Sequence, residues 1–170
     1  MDIYLLVLRL VHVFGGIFWA GGAFMMNFFI GPTIGATGQA GKQFMGHLMV
    51  RMRLSTVMTI VAILTLLAGG LLYWRDSQGF TSMWMSAGSG IGFGIGGAAG
   101  LIGFVFGAMF GQANKKMAFI GSQIKDGTPT PEQLAQLQNA QKTLKVVTPL
   151  HVSFLIVAAV FMSIARYMVF

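Results

Sequence analysis

The sequence contains no cysteine, and only 9% of its residues are charged. The absence of cysteine excludes disulfides, thiol catalysis, iron–sulfur clusters and cysteine-ligated zinc. Soluble domains carry roughly 25% charged residues, so a chain that is 55% hydrophobic, with a mean hydropathy of +0.75, cannot build a water-facing surface. Nucleic-acid binding is not expected despite the net charge of +7, because most of the chain must lie in lipid.

Carboxylates are also scarce, and the four present lie in loops or at segment ends: Asp2, Asp76, Asp126 and Glu132. A carboxylate proton relay or an ion-coupled carrier would need acidic side chains at mid-membrane depth, and none is predicted there. Paired-carboxylate catalysis is unsupported for the same reason. No signal peptide is expected, because the first residues lack a basic region.

The chain is rich in long apolar segments, at about 3–30, 50–74, 84–113 and 147–169. Each is long enough to cross a bilayer, which takes about 20 helical residues. They predict an all-α protein whose residues 1–170 form a single transmembrane four-helix domain. Turn signals separate the segments, at Gly31-Pro32, at 75–79 and at 126–129.

Positive charges predict the orientation of these segments. The loops after the first and third segments, with their flanks, hold eight basic residues: Lys42, Arg51, Arg53, Lys115, Lys116, Lys125, Lys142 and Lys145. The other side holds three: Arg9, Arg75 and Arg166. The positive-inside rule therefore predicts a protein of the cell (inner) membrane with both termini outside the cytoplasm.

The loop between the third and fourth segments carries helix signals. Thr130 is a candidate N-cap, Pro131 suits the first helical position, and Gln133 completes the start signal. We expect the last helix to begin near Pro131 and to run through Pro149, and residues 114–124 to extend the third helix. Together they predict a helical hairpin that reaches into the cytoplasm.

Glycine is spaced by four along the third segment, at Gly88, Gly92, Gly96 and Gly100, and again from Gly103. Such a small-residue stripe lets another backbone approach closely. It predicts tight helix packing, with a homodimer through the stripe, or a smooth groove for a flat ligand such as a porphyrin.

Three histidines remain as candidates for chemistry. His12 lies well inside the first segment, where an ionisable residue is a functional hypothesis by default. It shares a helix face with Gly15, Gly16, Trp19 and Gly22, which would suit a planar cofactor; a histidine bonded across helices is the alternative. His151, early in the fourth segment, and His47, near the basic end, are the other candidate metal ligands.

With straight helices, no two of the histidines are expected at the same depth in the membrane, so no pair of them is placed to ligate one iron. At about 1.5 Å per residue, His12 and His151 are expected about 14 Å apart in depth, and His47 deeper still. Arg51 and Arg53 open the second segment. Arginine binds carboxylates bidentately, so both are candidates for haem propionates or lipid phosphate, with positive-inside anchoring as the alternative.

Two stretches resemble a known family. Leu8–Gly22 (LRLVHVFGGIFWAGG) resembles the first-helix pattern K-A-L-H-I…W-x-G-G of the HemJ/CopD-like small membrane proteins. Met49–Leu54 (MVRMRL) and Leu66–Leu72 (LLAGGLL) are similar to its M-E-R-R-L-Y and T-L-L-L-G stretches, although the glutamate has no counterpart beside Arg51. The likeness covers residues 5–74.

HemJ proteins bind haem b and oxidise protoporphyrinogen, and CopD-type proteins are associated with copper handling. The resemblance implies that His12 is a haem ligand and that Arg53 belongs to the basic pair before the second helix. The resulting hypothesis is a haem b protein of electron transfer or haem- or porphyrin-linked redox chemistry, acting with an unknown redox partner, and haem-dependent oxidoreductase activity is one form of it.

Two rival functions stay open at this point. One is copper handling or small-molecule transport, for which thioethers and imidazoles would be the soft ligands; the methionines concerned are Met25, Met26, Met45, Met49 and Met52. The other is an assembly subunit without any cofactor.

Overall fold

The computed structural model describes residues 2–124 and 128–170. Its helices are α1 (Ile3–Met25), α2 (Gly31–Ala36), α3 (Gln39–Gly46), α4 (Leu54–Asp76), α5 (Gly88–Gln123) and α6 (Pro131–Ile164). Over these residues there is no strand, and four helices are long and apolar enough to cross a membrane, so the predicted all-α bundle is confirmed. Lys125 and the predicted turn at Asp126-Gly127 lie outside the described residues.

Long apolar side chains cover the outside of the bundle. Ile17, Leu67 and Leu101 each expose more than half of their surface. In water such a surface would be costly, whereas in a bilayer it meets lipid tails of the same polarity. The chain is therefore a multi-pass membrane protein.

The first apolar segment does not end at Gly31-Pro32 as its turn signal predicts. A π turn over Met26–Ile30 joins α1 to α2, and the Gly31 N–H bonds the Met26 carbonyl. The wider turn comes just before Pro32, which has no N–H to donate, so the helix continues where a regular one would break. A second π turn, His47–Arg51, follows α3 and leads towards α4.

The start of α6 is as predicted. The Thr130 hydroxyl accepts a hydrogen bond from the Gln133 N–H, the Gln133 side chain accepts one from the Thr130 N–H, and Pro131 is the first helical residue. The helix runs through Pro149, and α5 continues to Gln123. Both extensions into a hairpin are thereby confirmed.

The four spanning helices pack as two antiparallel pairs. The most extensive contact joins α5 to α6, and the next joins α1 to α4. A core of Trp19, Ala23, Ala62 and Leu155 connects the two pairs. Each pair thus offers one internal face to the other.

The glycine stripe of α5 packs inside the chain. A Cβ at Gly92 would lie 2.9 Å from the Ala165 Cβ, and one at Gly96 would lie 3.2 Å from the Met162 Cε. The predicted close packing through these glycines is confirmed, with α6 and the residues after it as the partner. The expectation of a homodimer through the stripe is wrong, because the chain's own C-terminal segment covers it; a homodimer stays a prediction without an assigned surface.

Candidate functional site

His151 is fixed between α5 and α6 by two contacts. Its Nδ1 lies 2.8 Å from the Gly103 carbonyl oxygen, and its ring covers Gly107, where a Cβ would come within 2.6 Å of Cε1. The ring also stacks on Phe110, with 6.1 Å between centroids. Only 4% of the residue is exposed.

His12 makes the same contacts between α1 and α4. Its Nδ1 lies 2.8 Å from the Thr65 carbonyl oxygen, and its ring covers Gly69, where a Cβ would lie 2.6 Å from Cε1. The Thr65 hydroxyl donates to the Val61 carbonyl instead. His12 is half-buried.

The hydrogen bonds determine which ring nitrogen is free. A carbonyl oxygen only accepts, so Nδ1 carries the proton in both rings and donates it. In the neutral imidazole the Nε2 lone pair is then unprotonated. Metal-ligating histidines are held in this way, with the second nitrogen donating to a carbonyl or carboxylate.

The same arrangement occurs in both helix pairs. The histidine Nδ1–H donates to a backbone carbonyl of the neighbouring helix, and the imidazole ring lies over the glycine four residues after that carbonyl. The sequence indicated a histidine bonded across helices as one alternative for His12, but it did not indicate the roles of Gly69 and Gly107. The available signal was a glycine on the neighbouring helix at the depth of each histidine.

A cavity of about 60 Å³ lies where the two pairs meet. The side chains that bear on its chemistry are an indole, an imidazole and three thioethers: Trp19, His151, Met26, Met49 and Met58. Water occupies about 30 Å³ in the liquid, so the space holds one ion or about two waters. Pockets for drug-sized ligands start near 300 Å³.

Trp19 holds one wall of this cavity. It is 6% exposed and meets Phe104 edge to face, with 6.3 Å between ring centroids. Trp19 therefore lies inside the bundle, and its role in binding a cofactor stays a prediction. His12 does not line the cavity.

The glycines beside His12 leave no free groove, contrary to the expectation. A Cβ at Gly22 would lie 2.7 Å from the Met58 Cε, and Gly15 faces the Thr65 side chain. This face of α1 packs on α4, because small residues let the two backbones approach closely. The room expected for a macrocycle is thus filled.

The depths of the two histidines differ less than expected. Across α4 and α5, Leu66 lies beside Gly100 and Ser55 beside Gly111, a regular antiparallel register. His12 lies over residues 65–69 of α4, and His151 lies over residues 103–107 of α5. With this register, the two histidines are about six residues apart along α5. Six residues correspond to roughly 9 Å.

The other predicted site residues lie at the surface. His47 and Arg51 belong to the second π turn, and both are exposed, as is Arg53, which precedes α4 with a φ of 52°. Within the described ranges, the one ion pair joins Arg75 to Asp76, and no three of the His, Asp and Glu side chains form a metal-binding group.

Comparison with protein-family models, with curated proteins and with solved structures gives no match to this chain. The likeness to HemJ/CopD-like proteins rests on the quoted motifs.

Proposed function

We propose that this membrane protein binds haem b and serves in electron transfer or haem-linked redox chemistry. The observation that carries the proposal is the pair of membrane-embedded histidines, each with Nδ1–H bonded to a helix carbonyl and an Nε2 lone pair left over. Each imidazole already has a carbonyl partner at Nδ1, so Nε2 is the nitrogen that a metal could bind. Ligation of iron would engage the Nε2 atom of both imidazoles, which helix packing leaves unused.

The donor chemistry fits haem iron, for which histidine is a common axial ligand. His151 has the stronger claim, because it lines the central cavity, and His12 is the second ligand or serves a separate site. When bound, the haem would supply a one-electron iron couple. The protein's own residues would hold the iron, exclude water and pair with the propionates, for which Arg51 and Arg53 are the candidates at the basic end.

The central cavity is smaller than a haem. A macrocycle exceeds the 60 Å³ cavity, so haem binding would require the side chains that line it to move, among them Met26, Met49 and Met58. Methionine has three rotatable bonds and adapts to irregular gaps, which makes it a suitable lining for a pocket that opens on loading.

The second candidate is copper handling, and the cavity favours it. Three thioethers and one imidazole around a space of ionic size are a soft ligand set, of the kind that selects Cu(I). The same histidine, His151, serves both candidates, so the cofactor must be identified directly.

Single-histidine variants test the proposal. After growth with haem precursor, His151→Ala is expected to lose the Soret band while the protein still inserts, and His47→Ala is the exposed control that keeps it. If one iron uses both histidines, His12→Ala loses or shifts the band too. Full haem retention in both His12→Ala and His151→Ala would overturn haem ligation by these residues. Copper, and no haem, in the wild-type protein would favour the second candidate.

A further inference from the structure

A second cavity, of about 240 Å³, lies between α5 and α6 at the end of the bundle opposite the chain termini. We call it the Lys116 cleft; its lining residues are Met109, Gln112, Ala113, Lys116, Asn139, Ala140 and Thr143. They lie on one face of each helix, at positions one turn apart. The cleft shares no residue with the central cavity.

The polar side chains of the cleft donate hydrogen bonds and carry positive charge. Lys116 brings an ammonium with three N–H donors, and Gln112 and Asn139 bring amide N–H groups. The Thr143 hydroxyl donates to the Asn139 carbonyl. No lining residue is acidic. The cleft therefore suits a small oxyanion.

Among the residues that the structure describes, the charged side chains nearest the cleft on both helices are basic. Gly107 lies beside His151 and Gly103 beside Leu155, and this register places Lys142 at the level of Lys116. An anion in the cleft would be surrounded by basic residues from both helices.

The floor of the cleft is apolar and lies where the hydrocarbon of a bilayer would end. Aromatic residues mark the opposite membrane surface, with Tyr73 against Trp84 near the start of α5. From Gly88 to Met109 is about 32 Å along α5, close to the hydrocarbon thickness of about 30 Å. The methionine thus borders the acyl region, and Lys116 reaches the headgroups.

We infer that the Lys116 cleft binds the phosphate of an anionic glycerophospholipid, with the acyl chains running from Met109 along the outer faces of α5 and α6. Basic pockets between transmembrane helices bind such headgroups elsewhere. An apolar floor below a polar rim matches a lipid better than it matches a free anion. This inference does not depend on the proposed cofactor.

The experiment titrates detergent-purified full-length protein with phosphatidylglycerol and counts bound lipid by native mass spectrometry, at about 0.15 M salt. Phosphatidylcholine tests charge preference, and inorganic phosphate and glycerol phosphate test whether the phosphate suffices without acyl chains. Lys116→Gln is the site variant. Lys115→Gln is the matched control, since it removes the same charge one position away, outside the cleft lining.

We expect one phosphatidylglycerol to be retained in preference to phosphatidylcholine. Lys116→Gln should lower its affinity roughly fivefold, the effect of one basic group at an anionic surface. Lys115→Gln should change it less than about twofold, because Lys115 does not line the cleft. Equal losses in the two variants, or no preference for phosphatidylglycerol, would overturn the site. Binding of glycerol phosphate as tight as that of the lipid would overturn the acyl-chain part and assign a soluble phosphate.

Discussion

The ring of His151 occupies the space that a side chain at position 107 would need. The Cε1 atom lies 2.6 Å from where a Cβ on Gly107 would stand, and Nδ1 bonds the Gly103 carbonyl at 2.8 Å. Glycine at 107 is therefore a condition for the histidine to reach the backbone. His12 depends on Gly69 in the same way.

Adding a methyl group at these two glycines tests the contacts. Gly107→Ala and Gly69→Ala should each destabilise the protein by about 1–3 kcal/mol, the usual cost of overpacking, because the imidazole must leave its carbonyl. The measurement is thermal or denaturant unfolding in detergent, followed by circular dichroism.

Gly97→Ala and Gly70→Ala are the matched controls, since a Cβ at either position meets nothing within 4 Å. They should be neutral or stabilising by up to about 1 kcal/mol, because alanine favours a helix over glycine. If Gly107→Ala behaves like Gly97→Ala, the ring does not need the space that the structure gives it.

A large residue in the glycine stripe should separate α5 from α6. In Gly96→Leu the new side chain meets Met162 and Phe161, so we expect a loss of folded monomer in size-exclusion chromatography and a lower melting temperature. Gly97→Leu points into open space and is the control. Unchanged stability of Gly96→Leu would mean that α6 does not cover this face.

The eight basic residues on one side against three on the other predict that both termini lie outside the cytoplasm. A reporter fused after Phe170 should be active only outside the cytoplasm. A second fusion within the exposed turn at 37–38 should report the cytoplasm. The opposite pattern in both fusions would reverse the assignment and place the Lys116 cleft on the outer side.

The sequence predicted the parts that depend on local chemistry. The four apolar spans, the capped start of α6 at Pro131 and the close packing of Gly96 all follow from residue type and spacing. The π turn before Pro32 was not predictable, because two helices and a wider turn satisfy the same apolar pattern as one helix and a loop.

The contacts of the histidines were only partly predictable. Helix periodicity places His12, Gly15 and Gly22 on one face, yet it does not say what that face meets. Packing against Thr65 and Met58 depends on the register between α1 and α4, which is a property of the whole bundle. The 9 Å depth difference between the histidines follows from the same registers.

The absorption spectrum of the purified protein, read together with its iron and copper content, tests the central claim most directly. The account predicts a Soret band that shifts on reduction with dithionite, iron in a fixed ratio to protein, and loss of both in His151→Ala but not in His47→Ala. A colourless protein that carries no iron after expression with ample haem would contradict it.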